Sequence, residues 1–213
     1  MNKIFPTIYN INIQKIHKFD LGKFEVILSE DEKIRADRFI FGRDRKRFVV
    51  TRGKLRVILS EYLQQSPESI KFSYTDKGKP YFTNSDIYFN VWHSHEIAFY
   101  GINKEKEIGV DVEYYLRNID DLEGLAKRFF REVEYKKIAN VLDKDEKQKL
   151  FFKYWTLKEA YLKATGEGVC GLEKIDFEIL EKKQKFSFKD KNIKQWTAFF
   201  LQPLDGYLGV VVV

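Results

Sequence analysis

The hexapeptide Ile108-Gly109-Val110-Asp111-Val112-Glu113 alternates branched apolar residues with a glycine and two acids, the period of two that a β-strand imposes on its side chains. As a strand it sends Asp111 and Glu113 to one face and Ile108, Val110 and Val112 to the other, toward a core. Some forty residues later a helical pattern over 146–164 carries Trp155, Glu159 and Lys163 four apart, so that they form one stripe of the cylinder. Glu159 can then face the strand acids, with Lys163 one turn on. Three carboxylates form an all-oxygen set that suits Mg²⁺ or Mn²⁺, and Mg²⁺ completes its shell with water and substrate phosphates. The same spacing also describes a solvated strand face beside a surface Glu159–Lys163 ion pair worth about 0.3–0.5 kcal/mol. Spacing alone leaves both open.

Residues 87–92 and 97–102 read as strands, rich in aromatic and branched side chains. Before them Asp76-Lys77-Gly78-Lys79-Pro80 separates Phe72-Ser73-Tyr74 from Tyr81-Phe82, a turn between short strands. A helix is predicted over 44–63, where Phe48, Thr51, Leu55, Ile58, Leu59 and Tyr62 recur at three and four positions and Arg45, Arg52 and Arg56 fall elsewhere on the cylinder. Ser29 with Glu32 has the capping-box form and starts a short helix reaching about residue 38. On the C-terminal side come helices at 122–130, 132–142 and 146–164, then strands at 175–180, 196–201 and 207–213. Helices precede a strand cluster in each half. The order predicts an α+β fold of two similar subdomains, 1–105 and 106–213, related by a pseudo-two-fold with a cleft between them, although no sequence repeat is visible.

With 34 aromatic residues, 19 of them Phe, among 213, the chain can build a sizeable core. The start of the sequence lacks the apolar run of a signal peptide, and the apolar stretch 208–213 is far shorter than a membrane span. The single cysteine, Cys170, excludes an internal disulfide or a cysteine zinc cage and is expected in a core role. These features point to a cytoplasmic protein. Of the net charge of +6, +5 sits in residues 1–105, and residues 33–56 hold ten Lys and Arg against Asp37 and Asp44. Such a bias attracts phosphates, an acidic protein surface or nucleic acid.

Ile108–Glu113, followed by Trp155-Thr156-Leu157-Lys158-Glu159-Ala160-Tyr161-Leu162-Lys163, resembles the 4′-phosphopantetheinyl transferases of the surfactin-synthetase-activating type. Arg128-Phe129-Phe130-Arg131-Glu132-Val133-Glu134-Tyr135 and Gly166-Glu167-Gly168 fit the same family, and the resemblance covers about residues 35–180. It implies transfer of phosphopantetheine from coenzyme A to a serine of an acyl or peptidyl carrier protein, releasing adenosine 3′,5′-bisphosphate. By likeness, Asp111, Glu113 and Glu159 are the metal ligands, Lys163 lies near the pyrophosphate, and Glu134 helps deprotonate the serine. Arg45, Arg52, Lys79 and Pro80, the last two in Lys77-Gly78-Lys79-Pro80, stand where the family contacts coenzyme A. Phe89-Asn90-Val91-Trp92-His93-Ser94 resembles its F-N-[IV]-S-H-S segment, in which the histidine meets the 3′-phosphate, so His93 is a further candidate.

Trp92 stands in place of the usual serine and His95 in place of the usual glycine, which leaves open altered coenzyme A geometry or stacking by Trp92. Three other readings compete. A basic nucleic-acid-binding module accounts for the cations but not the acids, and a metal-dependent nuclease does not account for the W-x-x-K-E-x-x-x-K helix. A catalytically retired carrier-binding homologue would not need an intact metal set. The transferase reading implies Mg²⁺ or Mn²⁺, coenzyme A and a carrier protein as partners of a monomer, with nucleic acid disfavoured.

Overall fold

The computed structural model describes residues 6–167, 172, 177–178, 187–188 and 196–213. Its first half runs β1 (Thr7–Asn12), α1 (Lys18–Val26), α2 (Glu30–Asp37), α3 (Gly42–Leu63), the hairpin β2 (Ser73–Tyr74) and β3 (Pro80–Tyr81), then β4 (Tyr88–Ser94) and β5 (Ile97–Asn103). The second half runs β6 (Gly109–Tyr114), α4 (Leu122–Phe129), α5 (Glu132–Ala139), α6 (Lys144–Thr165), β7 (Phe177–Glu178), β8 (Ser187–Phe188), β9 (Ala198–Leu201) and β10 (Tyr207–Val212). The two runs match element by element. Each three-stranded antiparallel sheet places the half's last strand in the middle, in the orders β1-β5-β4 and β6-β10-β9. The expected α+β fold of two similar subdomains is therefore present, and the repeat lies in topology, not in residue identity.

Burial explains the layering. In β5, Ala98, Tyr100 and Ile102 pack with Val50, Leu55, Ile58 and Leu59 of α3, while Ile97 and Phe99 on the opposite face meet Val110, Val112, Tyr207 and Val211 of the second sheet. On that sheet's outer face Val210 and Val212 lie under Leu157, Ala160, Tyr161 and Ala164 of α6. The order is α3, sheet, sheet, α6, with period-two strands supplying a different core on each face. Gly101 is required where the sheets touch, because a Cβ there would come within 2.6 Å of Ile108 and Val110 side chains.

Most predicted elements are found with small shifts. Helix α3 begins two residues early and α5 ends at Ala139, three residues short. β1 and α1 were not foreseen. The expected capping box of α2 is present, with the Glu32 carboxylate accepting from the Ser29 N–H at 3.0 Å. Arg52 and Arg56, which fall off the apolar stripe of α3, are nonetheless buried, 8% and 1% exposed, since Glu32 enters from α2 and accepts from Arg56 Nε at 2.6 Å, with Arg52 Nε 3.4 Å away. Cys170 and most of the strand expected at 175–180 lie outside the described residues. No described helix is long and apolar enough to cross a membrane.

Candidate active site

The site forms where β6 meets α6, and a glycine makes the approach close. A Cβ on Gly109 would overlap the Ala160 carbonyl oxygen and lie 2.5 Å from the Ala164 nitrogen, so the helix backbone rests directly on the strand. Asp111, two residues along the same strand face, is thereby held against Lys163, whose Nζ donates to Asp111 Oδ1 at 2.6 Å. Gly109→Ala should push α6 outward and destabilise the protein by about 3 kcal/mol, at the upper end for overpacking. Chemical denaturation would measure it, and a variant as stable as the parent would contradict this packing.

Asp111 is fully buried and Glu113 and Glu159 nearly so, which removes the solvated-face reading. Burial pushes the Asp111 carboxyl well above the usual carboxylate range. Lys163 opposes that rise, and the charges of Glu113 and Glu159 add to it. Glu159 is raised too, by burial first, with Lys163 opposing and Glu113 adding. The three acids thus share one electrostatic neighbourhood. Asp111 Oδ2 is buried without a hydrogen-bond partner among the described residues, which suits an acid set in need of a cation. As the side chains stand, no three described His, Cys, Asp or Glu residues are gathered tightly enough to ligate an ion. The Lys163 ammonium instead serves Asp111.

A cleft of ≈ 250 Å³ opens beside this cluster, lined among others by Lys77, Lys79, Pro80, Trp92, Glu159 and Lys163. Lys79 and Lys77 come from the β2–β3 turn, where Gly78 has φ +77. They donate to backbone carbonyls at the C-terminal end of α6, Lys79 to Lys163 at 2.8 Å and Lys77 to Gly166 at 3.3 Å, as suits cations at the negative end of a helix. Lys79 also pairs with Glu107 at 2.9 Å. The Trp92 face lies 3.4 Å from Lys163 Nζ, a cation–π contact, so the tryptophan that departs from the family pattern touches the lysine that keeps it.

Other candidates lie elsewhere. His93 projects from β4 opposite to Trp92; crowding and then the charges of Arg47 and Lys163 lower its pKa, although its surface remains open. Arg52 stacks near Phe72 and Tyr74, with Nη1 buried and unpartnered among the described residues. Arg45 is turned to Glu25 and Asp37. Six of the ten cations in 33–56, namely Lys33, Arg43, Arg45, Arg47, Arg52 and Arg56, stand within ion-pair distance of an acid. Glu134 is buried, accepting from Lys158 Nζ at 2.6 Å and from the Arg131 N–H at 2.9 Å. Trp155 packs on Phe151 and Phe129, as expected of a residue that fixes the helix.

Sequence reasoning passed over Lys158, Asn90 and Ser94. Asn90 Oδ1 accepts from the Val110 N–H at 2.8 Å, and Ser94 Oγ donates to Glu113 Oε2 at 2.9 Å. The signal was available: 90, 92 and 94 share one face of a period-two strand. His95, in the turn that follows, has φ 47, a conformation that explains why glycine is usual there.

The family described as "4′-phosphopantetheinyl transferase superfamily" matches residues 107–208, and "4′-phosphopantetheinyl transferase, N-terminal" matches residues 18–105. The chain is 43% identical over 190 residues to 4′-phosphopantetheinyl transferase HetI of a Nostoc species, covering 87% of this chain and 78% of that protein. It is 31% identical over 160 residues to the L-aminoadipate-semialdehyde dehydrogenase-phosphopantetheinyl transferase of Xenopus laevis, covering 70% of this chain and 53% of that one. The chain thus spans about half the length of this second relative.

Proposed function

This chain belongs to the 4′-phosphopantetheinyl transferase superfamily and is an enzyme of that class, and on that premise we propose that it transfers phosphopantetheine from coenzyme A to a serine of an acyl or peptidyl carrier protein. The observation that carries the reading is the Lys163–Asp111 ion pair at 2.6 Å, electrostatically coupled to Glu159 and lying beside a cleft lined by Glu159, Lys163, Lys79 and Pro80. Asp111, Glu113 and Glu159 would hold Mg²⁺, or Mn²⁺ in its place. When bound, that ion neutralises charge on the pyrophosphate. Lys163, seated against the Trp92 ring, is the cationic donor for the departing adenosine 3′,5′-bisphosphate. In the transfer the serine oxygen bonds to phosphorus, the bond from phosphorus to the departing adenosine 3′,5′-bisphosphate breaks, and the serine proton passes to solvent water.

Lys79 and Pro80 border the coenzyme, while Arg52 and His93 are assigned to its phosphates. Arg45, held by Glu25 and Asp37, contributes field more than contact. Glu134 acts through Lys158, setting the position of α6. The subdomain division at residue 105 is retained, and we take the enzyme to act as a cytoplasmic monomer. The ion-paired state of the basic segment supports this reading over nucleic-acid binding, whose salt-dependent affinity needs free cations.

The test is intact-mass analysis of a panel of carrier proteins incubated with the enzyme, coenzyme A and Mg²⁺. At least one carrier should gain roughly 340 Da, the mass of the phosphopantetheine arm, and EDTA should abolish the gain. Carriers that all stay unmodified would overturn the proposal.

A further inference from the structure

We propose that Ser94 is a positioning residue for Glu113, the hydroxyl that aims one metal-ligating carboxylate from across the boundary between the two subdomains. The inference rests on the reading of Glu113 as a ligand and adds to it a residue from the opposite half of the chain.

β4 and β6 are edge strands of different sheets, and each pairs its backbone with a partner inside its own sheet. The outer N–H groups of β6 therefore need acceptors from elsewhere. Side chains of β4 supply them: Asn90 Oδ1 accepts from Val110 at 2.8 Å and Ser94 Oγ from Tyr114 at 3.2 Å. Among the described residues, Asn90 makes no side-chain bond to Glu113. Ser94 has a single proton to donate, and it goes to Glu113 Oε2 at 2.9 Å in a buried setting. With one of its lone pairs taken by the Tyr114 N–H, the hydroxyl turns its proton to the carboxylate and holds Glu113 by that bond. Arg117 Nη1 approaches the same oxygen at 3.1 Å from a more exposed position. Neither contact uses Oε1. A long acidic side chain on a strand end is thus held by one oxygen with the other available, which is how hydrogen bonds behind a ligand orient it; loss of such a bond lowers metal affinity by about 10–100-fold.

The test measures Mn²⁺ binding to the full chain with coenzyme A present, by loss of the free-ion electron paramagnetic resonance signal, alongside thermal melting. Ser94→Ala should weaken Mn²⁺ binding by about 10–100-fold. Ser94→Thr, which keeps the hydroxyl but buries an extra methyl, should melt lower yet bind Mn²⁺ within about 3-fold of the parent. Asn90→Ala removes the companion strand contact without touching Glu113, so it should also melt lower and bind Mn²⁺ nearly as the parent does. If Ser94→Ala binds Mn²⁺ like the parent, or if affinity follows melting temperature through Ser94→Thr and Asn90→Ala, Ser94 is structural only and the proposal is overturned. Should Ser94→Ala not fold, Ser94→Cys, close in size but a weak donor, takes its place and should weaken Mn²⁺ binding in the same direction, whereas parental binding by it would overturn the proposal. A parent protein that takes up no Mn²⁺ would overturn the metal reading itself, a result distinct from the others.

Discussion

Replacing Glu159 by glutamine is expected to slow carrier modification by about 10²-fold or more while leaving the metal-free protein at least as stable as its parent. The two halves of that expectation have one cause. Glu159 is nearly buried beside Glu113 and Asp111, and burial followed by the charge of Glu113 raises its pKa against the pull of Lys163. Without a divalent cation, the ionised form is therefore a local cost that glutamine removes at almost constant shape. With the cation, the same charge is a ligand, and its loss weakens the hold on the coenzyme A pyrophosphate. The pH dependence has a definite sign. Asp111 and Glu159 have folded pKa values raised above the unfolded ones, so the folded state binds more protons and stability falls as pH rises from about 4 through the raised values. In EDTA the parent should melt at progressively lower temperature across that window, and Glu159→Gln should flatten the slope. Mg²⁺ with coenzyme A should restore the parent at high pH by binding the native state alone, and should restore the variant less. Transfer by Glu159→Gln at the parental rate would remove Glu159 from the ligand set.

How far this was readable from the chain differs by residue. α3 and α6 announce themselves because each buries a stripe at helical spacing against a sheet. β5 and β10 do so through apolar residues on both faces. By contrast β1 has no fully buried residue and neither does α1, so no contrast of apolar and polar positions marks them. The Asp111–Glu113 alternation was legible, but a polar strand face is ordinarily read as solvated. What covers it is α6, admitted by Gly109 opposite Ala160 and Ala164, a row of small residues four apart whose meaning depends on knowing that the two elements meet. Arg56 illustrates the limit. Its burial depends on Glu32, twenty-four residues earlier and on another helix, and a long-range ion pair leaves no periodic trace. The resemblance supplied Glu134 with a chemical role, whereas its partner Lys158, in the same quoted motif, went unassigned because a fully buried lysine cannot be recognised by type.

That pair yields the largest expected loss of stability. Lys158 has no exposed surface and Glu134 almost none, and the ammonium is further held by the Leu172 carbonyl at 2.7 Å and lies 5.1 Å from the Phe130 ring centroid. Lys158→Met would leave the Glu134 carboxylate buried without that ammonium, still accepting from the Arg131 N–H. Breaking one side of such a pair costs about 3–5 kcal/mol, equivalent to about 10 °C of melting temperature in a protein of this size. Adding Glu134→Leu removes the stranded charge together with its partner, and the double variant should regain most of the loss, because two apolar side chains of similar volume need no pairing. Kinetics then separate the roles of Glu134. If it acts by holding α6 through Lys158, the double variant assayed well below its melting temperature should recover most of its transfer rate along with its stability. If instead Glu134 draws the serine proton, the recovered fold should remain slower by about 10²–10⁴-fold, since no apolar residue can accept that proton. The burial of Glu134 away from the cleft favours the first outcome, and a stable but inactive double variant would establish the second.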